Sequence, residues 1–281
     1  MLHRSWTRVR SATRQGVAPG LLAVALVLAA LTARPLAQPD PEMPQASTVV
    51  PELVEALDHQ EPAIRWAAAR ALLSLGPEAA PAVPELSRTL LDDDDPTVRW
   101  KSAEALGAIG PAAAAAVPAL GRALGDEDER VRWKAAEALC AVGPSTAVVQ
   151  DLTQALDDRD ARVRRRAAEA LCVIGPAAAD AVPRLAATLD DGDPIVRWAA
   201  ADALGAIGPG AAAAVPALTA ALDDPNETVR WAVADALGSV GTTAAPALPA
   251  LRRRLADPDA RVRWEAGYAI ERIQAPPTPS D

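Results

Sequence analysis

DPTVRWKSAEALGAIGP at residues 95–111 and DPIVRWAAADALGAIGP at residues 193–209 are two copies of one segment, and that segment decides the fold. Its pair of a β-branched residue followed by arginine recurs at Arg65, Arg99, Arg132, Arg164, Arg197, Arg230 and Arg263, in steps of 34, 33, 32, 33, 33 and 33. In six of the seven copies the next residue is Trp. A fixed period of this length marks stacked repeats, in which no unit can bury its own apolar face and each neighbour supplies the cover.

The copy from Gly110 to Gly143 shows how one unit is written. Gly110-Pro111 is a breaker: glycine ends the preceding helix in a left-handed cap, and proline cannot continue it. Ala112 to Leu124 reads as a first helix with Val117, Leu120 and Leu124 on one stripe, and an acidic turn, Asp126 to Asp128, leads into a second helix from Glu129 to Val142. Asp95-Pro96 and Asp193-Pro194 place a capping acid ahead of a proline at the first helical position. Each unit is a helical hairpin, so the fold class is all-α.

Successive side chains of a helix turn by about 100°. From Val98, the residues Ser102, Ala105, Leu106 and Ile109 cluster as a core stripe, and Trp100 falls almost opposite. Glu104, Glu137, Glu169, Asp202 and Asp235 lie four residues beyond the Trp position and share that outward face. So do Gly107, Cys140, Cys172, Gly205 and Gly238, seven beyond it. The arginines point sideways, toward a neighbouring copy.

Of the 281 residues half are hydrophobic, yet Phe is absent and Tyr occurs once, so the core must be built from small and medium side chains. The formal charge is −9, and five arginines (Arg4, Arg8, Arg10, Arg14, Arg34) precede Gln38 in a stretch without acids, so the remainder is more acidic still. That argues against nucleic acid and anionic lipid as partners and for a cationic or neutral one. Residues 1–37 read as an export signal, with a basic start and an apolar run of eleven residues from Leu21 to Leu31, or as an N-terminal membrane anchor. Residues 38–48 read as a Pro-rich linker, 49–274 as seven repeats and 275–281 as a disordered tail. The expected location is therefore periplasmic or secreted, with no membrane insertion beyond the N-terminal segment.

The run D-P-x-V-R-W-x-A-A-x-A-L-G-x-I-G-P, with its partner A-V-P-x-L-x-x-x-L-x-D, resembles the short HEAT-like repeat of the phycocyanobilin-lyase type over residues 49–274. Copy four departs most, with Val149-Gln150 where others read Val-Pro and Arg165 where others have Trp. The resemblance implies a right-handed α-solenoid of seven hairpins, an α-α superhelix with the second helices lining its concave side. The ankyrin T-P-L-H run and the tetratricopeptide spacing are both missing.

Each recurring feature carries a structural and a functional reading. The arginines are expected to bond the acidic turn of an adjacent copy, Arg99 with Asp126 and Arg197 with Asp224, as a ladder that holds register. Asp92–Asp95, Asp157–Asp160 and Asp190–Asp193 then act as caps and rungs; a twelve-residue calcium loop is not present. Trp66, Trp100, Trp133, Trp198, Trp231 and Trp264 are expected outermost, each offering up to about 150–250 Å². Helices pack about 8–10 Å apart while rings stack at about 4.5–7 Å, so the slots between rings need a filler, either a neighbouring arginine or a partner's side chain.

A Trp followed four residues later by Glu or Asp can grip a Lys or Arg, the ring covering the stem and the carboxylate meeting the charge. The expected function is therefore a non-catalytic scaffold that binds an extended, cationic polypeptide through the Trp row, the acids Glu104, Glu137, Glu169, Asp202 and Asp235, and Arg165, which with Arg166 interrupts the row. An architectural spacer in an envelope assembly is the alternative. An enzyme by family analogy, lyase or iron hydroxylase, is disfavoured: beyond the signal the only histidine is His59, and neither an H-E-x-x-H run nor a phosphate-binding glycine loop occurs, so no cofactor is expected. Cys140 and Cys172 read as free thiols that stand in for the glycine of other copies.

Overall fold

A computed structural model describes residues 46–275. The expected export segment, most of the expected linker and the tail beyond 275 lie outside the described residues. The first described helix opens at Ala46, within the stretch read as a linker.

Seven hairpins follow one another: α1 (Ala46–Ala56) with α2 (Pro62–Leu75), α3 (Val83–Asp92) with α4 (Pro96–Ile109), and α5 (Val117–Ala123) with α6 (Glu129–Val142). Then come α7 (Val149–Ala155) with α8 (Ala161–Ile174), α9 (Val182–Thr188) with α10 (Pro194–Ile207), α11 (Val215–Ala221) with α12 (Glu227–Val240), and α13 (Leu248–Arg254) with α14 (Ala260–Gln274). No strand occurs among the described residues, and the fold is an all-α solenoid of helical hairpins. The chain divides into two compact units, one ending at Val142 and one beginning at Gly143. The division falls where copy four departs from the pattern, its lead-in shortened to Thr146–Val148. Within the first unit the second helices α2, α4 and α6 pack side by side, and within the second α8, α10, α12 and α14 do the same. The first helices form the other layer of each unit.

The second helix of the third copy has the expected bounds, Glu129–Val142. The first helix does not run unbroken from Ala112. A 3-10 stretch, Gly110–Ala116, precedes α5, and Pro118 sits in the opening turn of that helix. Val-Pro is thus a start signal: proline's missing N–H is no loss in the first turn and its fixed φ suits a helix there. Gly110 has the positive φ expected, 69°, but with ψ −144° it lies outside the left-handed helical region. Its N–H donates to the carbonyls of Leu106 and Gly107, which closes the helix before the chain turns away.

The core stripe is buried as read: Val98, Ser102, Ala105, Leu106, Ile109, Val117, Leu120 and Leu124 are all inaccessible to solvent or nearly so. Alanine is the packing unit between second helices, and the glycine seven beyond Trp permits the close approach. A Cβ on Gly205 would lie 3.3 Å from the Cα of Ala236, and one on Gly238 3.1 Å from the Cα of Ala269. Three stretches, Pro96–Ala123, Ala161–Thr188 and Pro194–Ala221, are apolar and long enough by composition to cross a membrane. Each is a second helix joined through its capping glycine to the first helix of the next copy, and its apolarity comes from the alanine and valine of these packed layers.

Candidate functional site

The acidic turn and the repeated arginine form the ladder expected of them. The Arg99 guanidinium donates through Nε and Nη2 to both carboxylate oxygens of Asp126 at 2.8 and 2.9 Å, and its Nη1 reaches back to the carbonyl of Asp93. Arg65 holds Asp93 in the same two-pronged way. In the second unit Arg164 grips Asp191, Arg197 grips Asp224 at 2.7 and 3.0 Å, and Arg230 grips Asp257. Each rung acid also accepts the N–H two residues on, as Asp126 does from Asp128 and Asp224 from Asn226. Paired charges with these extra bonds fix copy-to-copy register. Arg263 closes the series: its Nη1 meets the carbonyls of Asp257 and Pro258, but its fork faces no acid among the described residues.

The Trp row lies on the face of the second helices but is not the outermost surface expected. Trp66, Trp100, Trp133, Trp198 and Trp231 are half-buried, and only Trp264 is open, at 63% exposure. Trp66, for example, is partly covered by Lys101 of the adjacent second helix, 5.5 Å from its centroid. At the last copy no further helix follows among the described residues; Trp264 there stacks on Tyr268 at 5.4 Å between centroids.

In the first unit the rings carry cations of the chain itself: lysine at Trp66, Trp100 and Trp133, joined at Trp66 by arginine, the filler expected. The Lys101 ammonium lies 4.1 Å from the Trp100 centroid and 5.5 Å from that of Trp66, is 7% exposed, and bonds Glu104. Lys134 sits 4.4 Å over Trp133, 2.6 Å from Glu137 and 3.4 Å from Glu104. Arg70 lies 5.4 Å from the Trp66 centroid. Burial pulls the Glu104 carboxyl upward, but the hydrogen bond and charge of Lys101, joined by Lys134, outweigh it and hold Glu104 below its ordinary range. In copy four the same arrangement holds without a ring: Arg165 and Arg166 both bond Glu169. Glu104, Glu137, Glu169 and Arg165, expected to face a partner, are thus paired within the chain itself.

The next two copies differ. The residue after Trp is Ala199 or Ala232, both buried, and no cation lies over Trp198 or Trp231 among the described residues. Among the described residues Asp202 accepts only the Cys172 thiol, at 3.3 Å, and Asp235 takes a long 3.3 Å bond from Arg272. In the last copy the residue after Trp is Glu265, 4% exposed, beside the indole of Trp231. Burial and the charge of Asp235 push the Glu265 carboxyl above its ordinary value, against the pull of Trp231 and Arg272. From the second copy on, the residue after the Trp position therefore changes from cationic (Lys101, Lys134, Arg166) to neutral (Ala199, Ala232) to acidic (Glu265), a signal present in the sequence that the wheel reading passed over; in the first copy it is Ala67.

Among the described residues no group of three or more His, Cys, Asp or Glu is placed to hold a metal. Cys140 and Cys172 are free thiols. Burial, then the Asp202 charge and hydrogen bond, push the Cys172 thiol up to about 12, which leaves it unreactive at neutral pH. Ser102 is wholly buried, and its hydroxyl has no hydrogen-bond partner.

Stacked hairpins with a repeated arginine rung and a covered aromatic row define an α-solenoid scaffold. The chain belongs to the HEAT repeat family, whose model matches residues 25–107, 83–172, 149–219 and 182–271. Among solved structures it is similar to an engineered protein at 25% identity and TM-score 0.64, covering 95% of this chain and 80% of that one. A second engineered protein matches at 25% identity and TM-score 0.54, with 80% and 96% covered. A designed armadillo repeat protein matches at 20% identity and TM-score 0.53, with 80% and 99% covered, and shares the fold alone. No curated protein matches the chain. Solenoids of this class are typically non-enzymatic scaffolds that bind protein partners.

Proposed function

We propose that the chain is a non-catalytic scaffold that takes an extended, cationic polypeptide along the Trp and acid face of its second helices. The observation that carries this reading is the repeated pairing of a half-buried indole with a carboxylate one helical turn on, at Trp198 with Asp202 and at Trp231 with Asp235. A ring face attracts a cation and shields its apolar stem, and a nearby carboxylate adds charge; the chain's own lysines use both in the first unit. The acidic balance of the repeat region would steer a basic partner in and repel nucleic acid.

Titration with an oligolysine peptide should quench or shift the Trp fluorescence, while oligoglutamate should not. A folded chain that shows no spectral change and no binding of labelled oligolysine at low salt would sink the reading. A purely architectural spacer is the second reading, favoured by the unbroken arginine rungs inside each unit. It predicts rings that no peptide can quench. We assign the scaffold to the periplasm or exterior on the basic start and apolar run of residues 1–37; fractionation of tagged cells that left the chain in the cytoplasm would refute this.

A further inference from the structure

Position by position, the two units treat the same slot differently. Where the first unit has Lys101 after Trp100, with Glu104 three residues further on, the second has Ala232 after Trp231, with Asp235 three residues further on. The equivalents of Lys134 and its two acids, Glu104 and Glu137, are Ala232 with Asp202 and Asp235. In the first unit an ammonium occupies this place at cation–π distance from two rings and is held by carboxylate. In the second the rings and acids remain and the cation is gone. Each acid there is also one methylene shorter.

We propose that the slot bounded by Trp198, Trp231, Asp202 and Asp235 binds one lysine or arginine side chain of a partner polypeptide, the place that Lys101 and Lys134 fill from within the first unit. The assignment rests on the cationic-polypeptide reading and narrows it to copies five to seven. Three features besides the acids support it. The first is the chain's own lysines, which show that this geometry holds a cation. The second is Glu265, a nearly inaccessible carboxylate that lies beside the Trp231 indole and the charge of Asp235, at the position where the first unit has a lysine. The third is charge: Asp202, Asp235 and Glu265 lie in consecutive copies with Arg272 as their one counter-cation among the described residues, whereas Glu104 alone is met by two lysines. The ligand is thus a cation with an apolar stem, and the first unit excludes it because the seat is taken.

The test is to fill the seat. The full chain carrying Ala199→Lys and Ala232→Lys recreates the first unit's arrangement without removing a ring or an acid. Against labelled oligolysine it should bind at least about tenfold more weakly, the scale set by loss of a desolvated cation–π contact. Ala177→Lys with Ala213→Lys, a charge-matched change at two exposed sites of the same unit, should bind nearly as the parent does. Conversely, Lys101→Ala with Lys134→Ala should add a second oligolysine site in the first unit, read as stoichiometry, and this variant keeps the test alive if the doubly lysine-filled chain misfolds. If the lysine-filled variant binds as the parent while Trp198→Ala/Trp231→Ala does not, the slot assignment is overturned but the Trp face stands. If oligolysine fails to bind the parent chain, the broader reading has failed instead.

Discussion

The three copies before Val142 and the four after Gly143 share a scaffold and differ in what covers it. The rungs are the same: Arg99 with Asp126 and Arg197 with Asp224 have matching two-pronged geometry within a tenth of an ångström or so. The aromatic faces are not. Trp66, Trp100 and Trp133 each carry a cation from the chain itself, and Trp198 and Trp231 carry none among the described residues. The contrast extends to proton affinity: Glu104, between two lysines, is held low, and Glu265, beside Asp235, is pushed high. The lesson is that one backbone can present an internally satisfied surface and an unsatisfied one by changing the few residues that reach each ring.

The largest expected effects concern the shared part. Arg197→Ala leaves Asp224 without its partner in a largely enclosed site and should destabilise the neighbouring copies by about 3 kcal/mol; Arg99→Ala should do the same to the first unit. Hydrogen exchange would read both, since repeat arrays open locally. A large difference between the two would break the claim that the rungs are equivalent. Gly205→Val comes next, at about 2 kcal/mol by calorimetry, because its side chain meets the Ala236 backbone. Trp198→Ala with Trp231→Ala should weaken oligolysine binding about tenfold and Trp66→Ala with Trp100→Ala hardly at all, measured by anisotropy of the labelled peptide. The smallest effect belongs to Arg263→Ala, whose fork faces no acid; it should shift stability by less than about 0.5 kcal/mol.

Acid separates the carboxylates further. Burial raises Asp191, but its hydrogen bond from Arg164 more than offsets this and leaves the group lowered; Asp257 is lowered by Arg230. Their stabilisation is present above the unfolded carboxylate value of about 3.9 and is lost as pH falls through their lower folded values. Glu265 has the opposite sign: raised in the fold, it destabilises above its unfolded value and relieves that strain as pH falls through its folded value. Substituting Glu265→Gln should therefore stabilise the last copy at neutral pH and leave its stability below pH about 4 nearly unchanged, checked by thermal unfolding across pH.

Much of this was legible in the residue order. The period of Arg99 and its relatives gave the hairpins, the Asp-Pro pairs gave the starts of α4 and α10, and the acidic turns gave the rungs. The break in the first helix was missed because Val117-Pro118 was read as helix interior when proline marks a beginning. The half-burial of the rings was missed for a different reason. A helical wheel reports direction about one axis, and Trp100 does point away from Val98. Only the approach of the next helix, close enough that a Cβ on Gly107 would meet Ala138 at 3.2 Å, shows that this direction is partly covered. The cations over the rings were in plain view at Lys101 and Lys134, but their meaning depended on knowing that the residue after one Trp reaches back to the ring of the previous copy.

The most direct test is to follow the indole N–H resonances of the full chain, assigned through single Trp→Phe variants, while oligolysine is added. The account predicts that the signals of Trp198 and Trp231 move together and saturate while those of Trp66 and Trp100 stay in place. Equal movement of all four, or movement confined to Trp66 and Trp100, would contradict it.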